Sequence, residues 1–159
     1  SVDQARHIVS CSQYPPAGRR GAAFGMAHDD YRAGTPDEKI AAARDATLVV
    51  CMIETPEGVK NVEAIAAVPG IDILWLGHFD LTNFMGIPGQ FDHPEYLANV
   101  QRIVAAARKQ DKPAGFLALD DAWATRYHAL GFRVLAYGLD SQLFKSRLVA
   151  GLAHLRALG

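Results

Sequence analysis

The sequence predicts an α/β fold: about four strands with their helices, forming the C-terminal part of a (β/α)8 barrel. Three observations carry this reading. Short apolar runs alternate with helical periodicity along the chain, so consecutive strands run parallel with right-handed crossovers. The chain has 159 residues, whereas a closed barrel usually needs about 250, and four strands cannot close one. It also opens on a helix, whereas a doubly wound sheet, the other fold compatible with the alternation, normally opens on a strand.

Val2, Ala5, Ile8 and Val9 recur at helical spacing, so residues 3–11 form a helix with no strand before it. Ser1 stands where an initiating Met would, so a processed or incomplete chain is expected. Tyr14-Pro15-Pro16-Ala17-Gly18-Arg19-Arg20-Gly21 is a turn-rich loop whose prolines fix the backbone. His28-Asp29-Asp30-Tyr31 falls in a short helical stretch. Thr35-Pro36-Asp37-Glu38 is a capping box with Pro at the first helical position, starting a helix to about Asp45. Thr47 to Ile53 is the first strand, apolar enough to be covered on both faces. A helix opens at Thr55-Pro56 and stops before Pro69-Gly70, and Ile71 to Leu76 is the second strand. Asp92 caps a helix that has Pro94 in its first turn and runs to about Lys109. Ala114 to Leu119 is the third strand, and Asp120 caps a helix through Leu130 that Gly131 ends. Phe132 to Tyr137 is the fourth strand, and Asp140 caps a last helix carrying Leu143, Phe144, Leu148, Leu152 and Leu155. No low-complexity linker interrupts this order, so residues 1–159 are expected to form a single α/β domain.

Composition narrows the class. Half the residues are hydrophobic, enough for one sizeable core. A formal net charge of −1 gives no reason to expect nucleic acid or an anionic membrane as partner. No apolar run reaches the length of a membrane span. Cys11 and Cys51 are the only cysteines, and Cys51 lies in a buried-looking strand, so no disulfide framework and a reducing cytoplasm are expected.

The chemistry concentrates between Val49 and Asp80. The run Val49 to Ile53 leads into Glu54, and the run Ile71 to Leu76 leads through Gly77-His78-Phe79 into Asp80. Both carboxylates therefore sit at the C-terminal ends of neighbouring parallel strands, where α/β folds place their sites. Two acids there can share one hard cation; alternatively, Glu54 caps the helix that follows it. His28-Asp29-Asp30 cannot all face one ion from a helix, so a solvated loop is expected. Arg19 and Arg20 could hold a carboxylate bidentately, with a surface ion pair or subunit contact as the plainer reading. His7, His93, His128 and His154 sit on helices or caps and receive no role. Trp75 and Trp123 are core or interface residues, and Phe84-Met85 line either the pocket or a neighbouring subunit.

Tyr14-Pro15-Pro16-x-Gly18-x-Arg20-Gly21, Ile53-Glu54-Thr55, Gly70-Ile71-Asp72 and Gly77-x-x-Asp80-Leu81, in that order, resemble the HpcH/HpaI aldolases over essentially the whole chain. These are metal-dependent aldolases with a modified TIM barrel of the phosphoenolpyruvate/pyruvate type. The spacing from Glu54 to Asp80 matches that of the family's two metal carboxylates. The resemblance implies reversible cleavage of a 4-hydroxy-2-oxo acid to pyruvate, or a related 2-oxo acid, plus an aldehyde. It makes Glu54 and Asp80 ligands of a divalent ion, with Mg²⁺ expected and Mn²⁺ or Co²⁺ as alternatives. It also implies that the backbone at Phe79-Asp80 receives the substrate carboxylate. The family assembles as dimers that exchange terminal helices, often three dimers to a hexamer, so a homo-oligomer is expected.

Three departures qualify these expectations. Met52 stands where the family usually has a substrate-touching Gln. His78 replaces the Pro of the usual Gly-Pro-x-Asp, and either adds a ligand, lines the pocket or makes a hydrogen bond. The family's general-base His and enolate-stabilising Arg come from early barrel strands that have no counterpart in these residues. The chain alone is thus expected to hold the metal half of a site without its acid–base half. Two other readings stay open: another metal-enolate lyase on the same scaffold, and a non-catalytic α/β binding module or partner subunit.

Overall fold

In the computed structural model, which describes residues 1–159, four parallel strands lie side by side in chain order. They are β1 (Val50–Ile53), β2 (Ile73–Leu76), β3 (Ala114–Ala118) and β4 (Val134–Tyr137). Eight helices accompany them: α1 (Val2–Ser12), α2 (Pro36–Ala46), α3 (Pro56–Lys60), α4 (Val62–Ala66), α5 (His78–Phe84), α6 (Pro94–Lys109), α7 (Asp121–Ala129) and α8 (Asp140–Arg156). The strand–helix alternation is the one expected from the sequence.

The sheet has two unlike faces. Cys51, Ile53, Leu74, Leu76, Ala114, Phe116 and Ala118 point toward the helices and are buried in one core with Ile65, Tyr96, Ile103, Tyr127 and Phe132. Helix α6 packs on β2, β3 and α4, and α7 packs on β3 and β4. The opposite face is open: Val50 is 44% and Met52 53% exposed. The expectation that the first strand is covered on both faces is therefore corrected, because no element packs over that side. An apolar parallel sheet face of this kind is ordinarily buried.

Boundaries shift where caps decide them. Thr47 ends α2, so β1 starts at Val50, and Phe132 packs in the core before β4 begins at Val134. The helix expected between the first two strands is broken at Asn61 into α3 and α4. Thr55 caps α3 by accepting from the Gly58 N–H at 3.0 Å, which leaves Glu54 free of a capping role. Asp92 does not cap α6. Pro94 at the first helical position makes His93 the N-cap, and Asp92 instead pairs with Arg126 at 2.8 Å. Asp140 is likewise the first residue of α8 rather than its cap, which is Leu139. Asp120 caps α7 as expected, accepting from the Trp123 N–H at 2.9 Å.

Gly70-Ile71-Asp72 has a structural use. Gly70 has φ +87, and a Cβ there would lie 2.6 Å from Val9 Cγ1, so only glycine lets α1 approach this closely. Asp72 Oδ2 accepts from the Val49 N–H at 2.7 Å and pins the start of β1 beside β2. In the Tyr14 loop, Arg20 lies over the buried Tyr14 ring at 4.6 Å from its centroid, so Arg20 is engaged in packing this loop. Ala27–Asp29 forms one turn of 3-10 helix, as expected of this stretch; Asp29 pairs with Lys39 at 2.7 Å and His28 and Asp30 are exposed, so the three do not gather on one ion. Helix α8 has no buried residue, and Phe144, Val149 and Leu155 are more than half exposed.

Candidate functional site

Parallel pairing fixes where the two carboxylates go. Ile53 pairs with Leu76, and the Gly77 N–H donates to the Ile53 carbonyl at 3.0 Å, so Glu54 and Gly77 emerge side by side at the C-terminal edge. An added Cβ on Gly77 would lie 2.6 Å from Glu54 Cβ, 2.9 Å from Glu54 Oε2 and 3.2 Å from Met52 Sδ. Glycine at 77 thus gives the Glu54 side chain its room across the neighbouring strand. Helix α5 begins directly afterwards with Gly77 as N-cap, and Asp80 lies in its first turn. This seven-residue helix is additional to those expected from the sequence.

Neither Glu54 nor Asp80 takes part in a side-chain hydrogen bond or an ion pair, whereas Asp29, Glu38, Glu63, Asp72, Asp92 and Asp120 are engaged by other groups. Glu54 is half-buried and Asp80 is exposed. The first amide of α5 to find a partner is that of Leu81, which donates to the Gly77 carbonyl at 2.9 Å. Gly77 has no side chain to cap the helix, so the N–H groups of His78, Phe79 and Asp80 are free. One edge therefore carries two uncommitted carboxylates and a set of uncommitted amide donors. The donor set fits a hard divalent cation that takes a few carboxylate oxygens and fills its other positions with small oxygen ligands. No group of three or more His, Cys, Asp or Glu side chains gathers anywhere in the chain, so a closed structural metal site of the zinc type is not formed.

His78 and Met52 separate. Met52 lies on the open sheet face beside Glu54. His78 turns to the helix side, where its ring is 5% exposed among Phe79, Phe91, Phe116 and Trp123, with centroids 4.6 to 5.6 Å away. Its Nε2 is buried without a hydrogen-bond partner. Phe79 is 49% exposed and forms an edge-to-face pair with Phe91. Phe84 is exposed, while Met85 packs against the core.

Burial pushes His78 down to about 4 from its ordinary 6.5, against the opposing effects of the Asp80 charge and the Leu76 backbone. The folded chain thus refuses a proton that the unfolded chain accepts between pH 6.5 and 4. Stability from this group is fully present above pH 6.5 and is lost as pH falls toward 4. The loss is expected to reach about 2–3 kcal/mol. In urea titrations in metal-free buffer, His78→Phe should flatten this segment of the stability curve; an unchanged slope would show that His78 is not the group responsible.

A cavity of about 650 Å³ lies along the β1 edge, lined by Met52, Glu54 and Thr55 together with Gln4 and His7 of α1. A second, of about 630 Å³, lies between the Tyr14–Ala33 loop and α2; Arg20, His28, Asp29 and Asp30 line it, and none of Met52, Glu54, His78, Phe79 or Asp80 does. The Gly77-x-x-Asp80 motif includes the glycine that makes space for Glu54 but does not say what the glycine is for. The available signal is register: Gly77 is the residue placed beside Glu54 when the two strands pair in parallel.

The sequence profile of the HpcH/HpaI aldolase/citrate lyase family matches residues 1–146. A hydroxypyruvate/pyruvate aldolase of Chromohalobacter salexigens is 36% identical over 145 residues, covering 91% of this chain and 57% of that protein. A 2-keto-3-deoxy-L-rhamnonate aldolase of Salmonella paratyphi B is 33% identical over 158 residues, covering 99% and 59%. The crystal structure of an HpcH/HpaI aldolase from Desulfitobacterium hafniense superposes with a TM-score of 0.86 at 27% identity, covering 98% of this chain and 60% of that one. The chain thus spans less than two thirds of the length of each of these proteins, matching one part of a longer TIM-barrel-type fold.

Proposed function

The chain belongs to the HpcH/HpaI aldolase/citrate lyase family, and on that premise we propose that it supplies the metal-holding part of a divalent-ion-dependent aldolase. The reaction is reversible cleavage of a 4-hydroxy-2-oxo acid to pyruvate, or a related 2-oxo acid, and an aldehyde, a carbon–carbon lyase reaction. The observation that carries this reading is the edge where uncommitted Glu54 and Asp80 meet the free amides of α5. The named activities of the two aldolase relatives support it.

In this reading Glu54 and Asp80 hold the ion, Mg²⁺ first and Mn²⁺ or Co²⁺ as alternatives. When bound, the ion supplies Lewis-acid polarisation of the keto oxygen of the 2-oxo acid. The N–H groups of Phe79 and Asp80 receive the substrate carboxylate, adding two donors and orienting the acid. Met52 borders the acid site through its thioether and offers no amide of the kind a Gln would provide. The buried ring of His78 supports the turn from the helix side and does not reach the open face. The proton acceptor must therefore come from outside this edge, from the remaining part of the fold that the relatives possess. We place the chemistry in the cytoplasm, where the free thiols of Cys11 and Cys51 stay reduced. No helix is long and apolar enough to cross a membrane. The unburied apolar side of α8 supports a homo-oligomer in which this helix docks on a second copy.

The test is divalent-ion binding followed by turnover. Calorimetric titration with Mn²⁺ should show one site, and pyruvate should bind more tightly when that site is filled. Complementation with a polypeptide carrying the remaining part of the relatives' fold should then give ion-dependent pyruvate release from 4-hydroxy-2-oxo acids. A chain that binds no divalent ion would overturn the reading and leave a non-catalytic module.

A further inference from the structure

The cavity between the Tyr14–Ala33 loop and α2 takes in residues of two sequence features that the acid edge leaves without a use, Arg19-Arg20 and His28-Asp29-Asp30. It lies at the other end of the sheet. Ala46 and Thr47, on its wall, stand just before β1, whereas Glu54 follows the last residue of that strand. Its volume of about 630 Å³ falls within the range of small-molecule sites, about 300–1,000 Å³.

Every charged group on its wall except Arg20 already has a polar partner. Asp29 accepts from Lys39 at 2.7 Å and from the Gly25 and Met26 N–H groups at 2.7 and 3.0 Å. The Lys39 hydrogen bond, with that of Gly25, holds the Asp29 carboxyl down to about 2. Asp30 pairs with Arg32 at 2.9 Å, and Glu38 accepts from the Thr35 N–H at 2.8 Å in capping its own helix. Arg20 makes no side-chain hydrogen bond or ion pair. Its guanidinium lies 4.6 Å from the centroid of the buried Tyr14 ring. A guanidinium resting on a ring spends its face there and keeps its in-plane N–H groups for an acceptor.

The rest of the wall is apolar and spacious. Tyr14 and Phe24 stand with ring centroids 5.6 Å apart, and across from the loop α2 presents only the methyl groups of Ala42, Ala43 and Ala46. Positions 42, 43 and 46 share one face of the helix, so three short side chains in succession keep the space open. One uncommitted planar cation beside an apolar hollow matches a single carboxylate, which it can hold bidentately.

We propose that this cavity is a second ligand site, for a monocarboxylate with a ring-sized apolar body. Arg20 grips the carboxylate, and the body lies between Phe24 and the alanines of α2. The ligand thereby joins the loop to the helix that leads into β1, and occupancy stabilises the chain by mass action. The assignment does not depend on the chemistry at the acid edge.

The test is calorimetric titration with benzoate in buffer containing EDTA, so that no ion fills the acid edge. One site is expected, with benzamide, the same ring without the charge, at least tenfold weaker. Arg20→Gln should weaken benzoate about tenfold or more, the scale of a lost charge-assisted pair. Arg20→Lys should recover only part of this, because an ammonium lacks the planar fork. Ala42→Leu, at an exposed position, narrows the cavity with Arg20 intact and should also weaken benzoate. It decides the matter even if the Arg20 variants loosen the loop. Asp80→Ala should leave benzoate affinity unchanged. No benzoate binding, benzamide bound as tightly, or affinity that either Arg20→Gln or Ala42→Leu leaves unchanged overturns the site while the reading of the acid edge stands. Benzoate binding abolished by Asp80→Ala would move the ligand to the acid edge and overturn the site as well. A chain that binds benzoate as expected but no Mn²⁺ overturns the aldolase reading alone.

Discussion

Replacing Glu54 or Asp80 with alanine is expected to lower divalent-ion affinity about a hundredfold or more, with the double replacement indistinguishable from no site. Loss of groups that merely orient ligands costs 10–100-fold in other metal proteins, so loss of a ligand should cost at least as much. No His, Cys, Asp or Glu cluster stands ready to substitute. Stability should change little. Asp80 is exposed, and neither carboxylate makes a hydrogen bond or ion pair whose loss would be felt, so each variant should unfold within about 0.5 kcal/mol of the parent. Mn²⁺ titration beside urea unfolding separates the two effects. Retained affinity in Glu54→Ala with normal folding would exclude Glu54 as a ligand and move the site toward Asp80 alone. Met52→Gln serves as contrast: it should leave ion affinity unchanged and act on 2-oxo-acid binding.

The two carboxylates were legible from sequence because strand ends in a parallel sheet are set by short-range signals. One apolar run stops at Glu54 before Thr55-Pro56, and the other stops at Gly77, three residues ahead of Asp80; neither signal needs long-range information. Capping was less legible. Asp92 and Asp140 are good cap residues by type, yet Pro94 moves one helix start to His93 and Leu139 precedes the other. Arg126, far along the chain, then claims Asp92. The role of His78 depended on tertiary packing: which side of α5 it takes is decided by Phe91, Phe116 and Trp123, which no local pattern places beside it. The open face of β1 was missed for a related reason. An apolar strand states that both faces want cover, but not whether the partner lies within the same residues. Trp75, whose indole lies against Gly115, belongs to the same class, since an indole and a glycine become neighbours only through the β2–β3 register.

Phe116→Ala is expected to destabilise the chain by about 3–5 kcal/mol, the largest single-residue effect on folding in this molecule. Phe116 is fully buried at the centre of the aromatic cluster on the helix side of the sheet. Its ring stacks on Tyr127 at a centroid distance of 3.6 Å and lies 4.8 Å from His78 and 5.7 Å from both Trp123 and Phe132. Truncation removes the transfer free energy of a phenyl ring and leaves a cavity beneath α7. Rigid aromatic neighbours cannot collapse into it cheaply. Domains are ordinarily stable by about 5–15 kcal/mol, and this sheet leaves one apolar face open, so most of the folding free energy is at stake. Urea unfolding should show a large drop in midpoint, with Phe116→Leu retaining part of it; a shift of under 1 kcal/mol would mean that the cluster is not the core it is taken to be. The same replacement should reach the acid edge. His78 rests on Phe116 and is the first residue of the helix that carries Asp80. In variant protein that remains folded at low temperature, Mn²⁺ affinity should therefore fall as well, whereas Phe132→Leu, which leaves His78 resting on Phe116, should lower stability without lowering ion affinity.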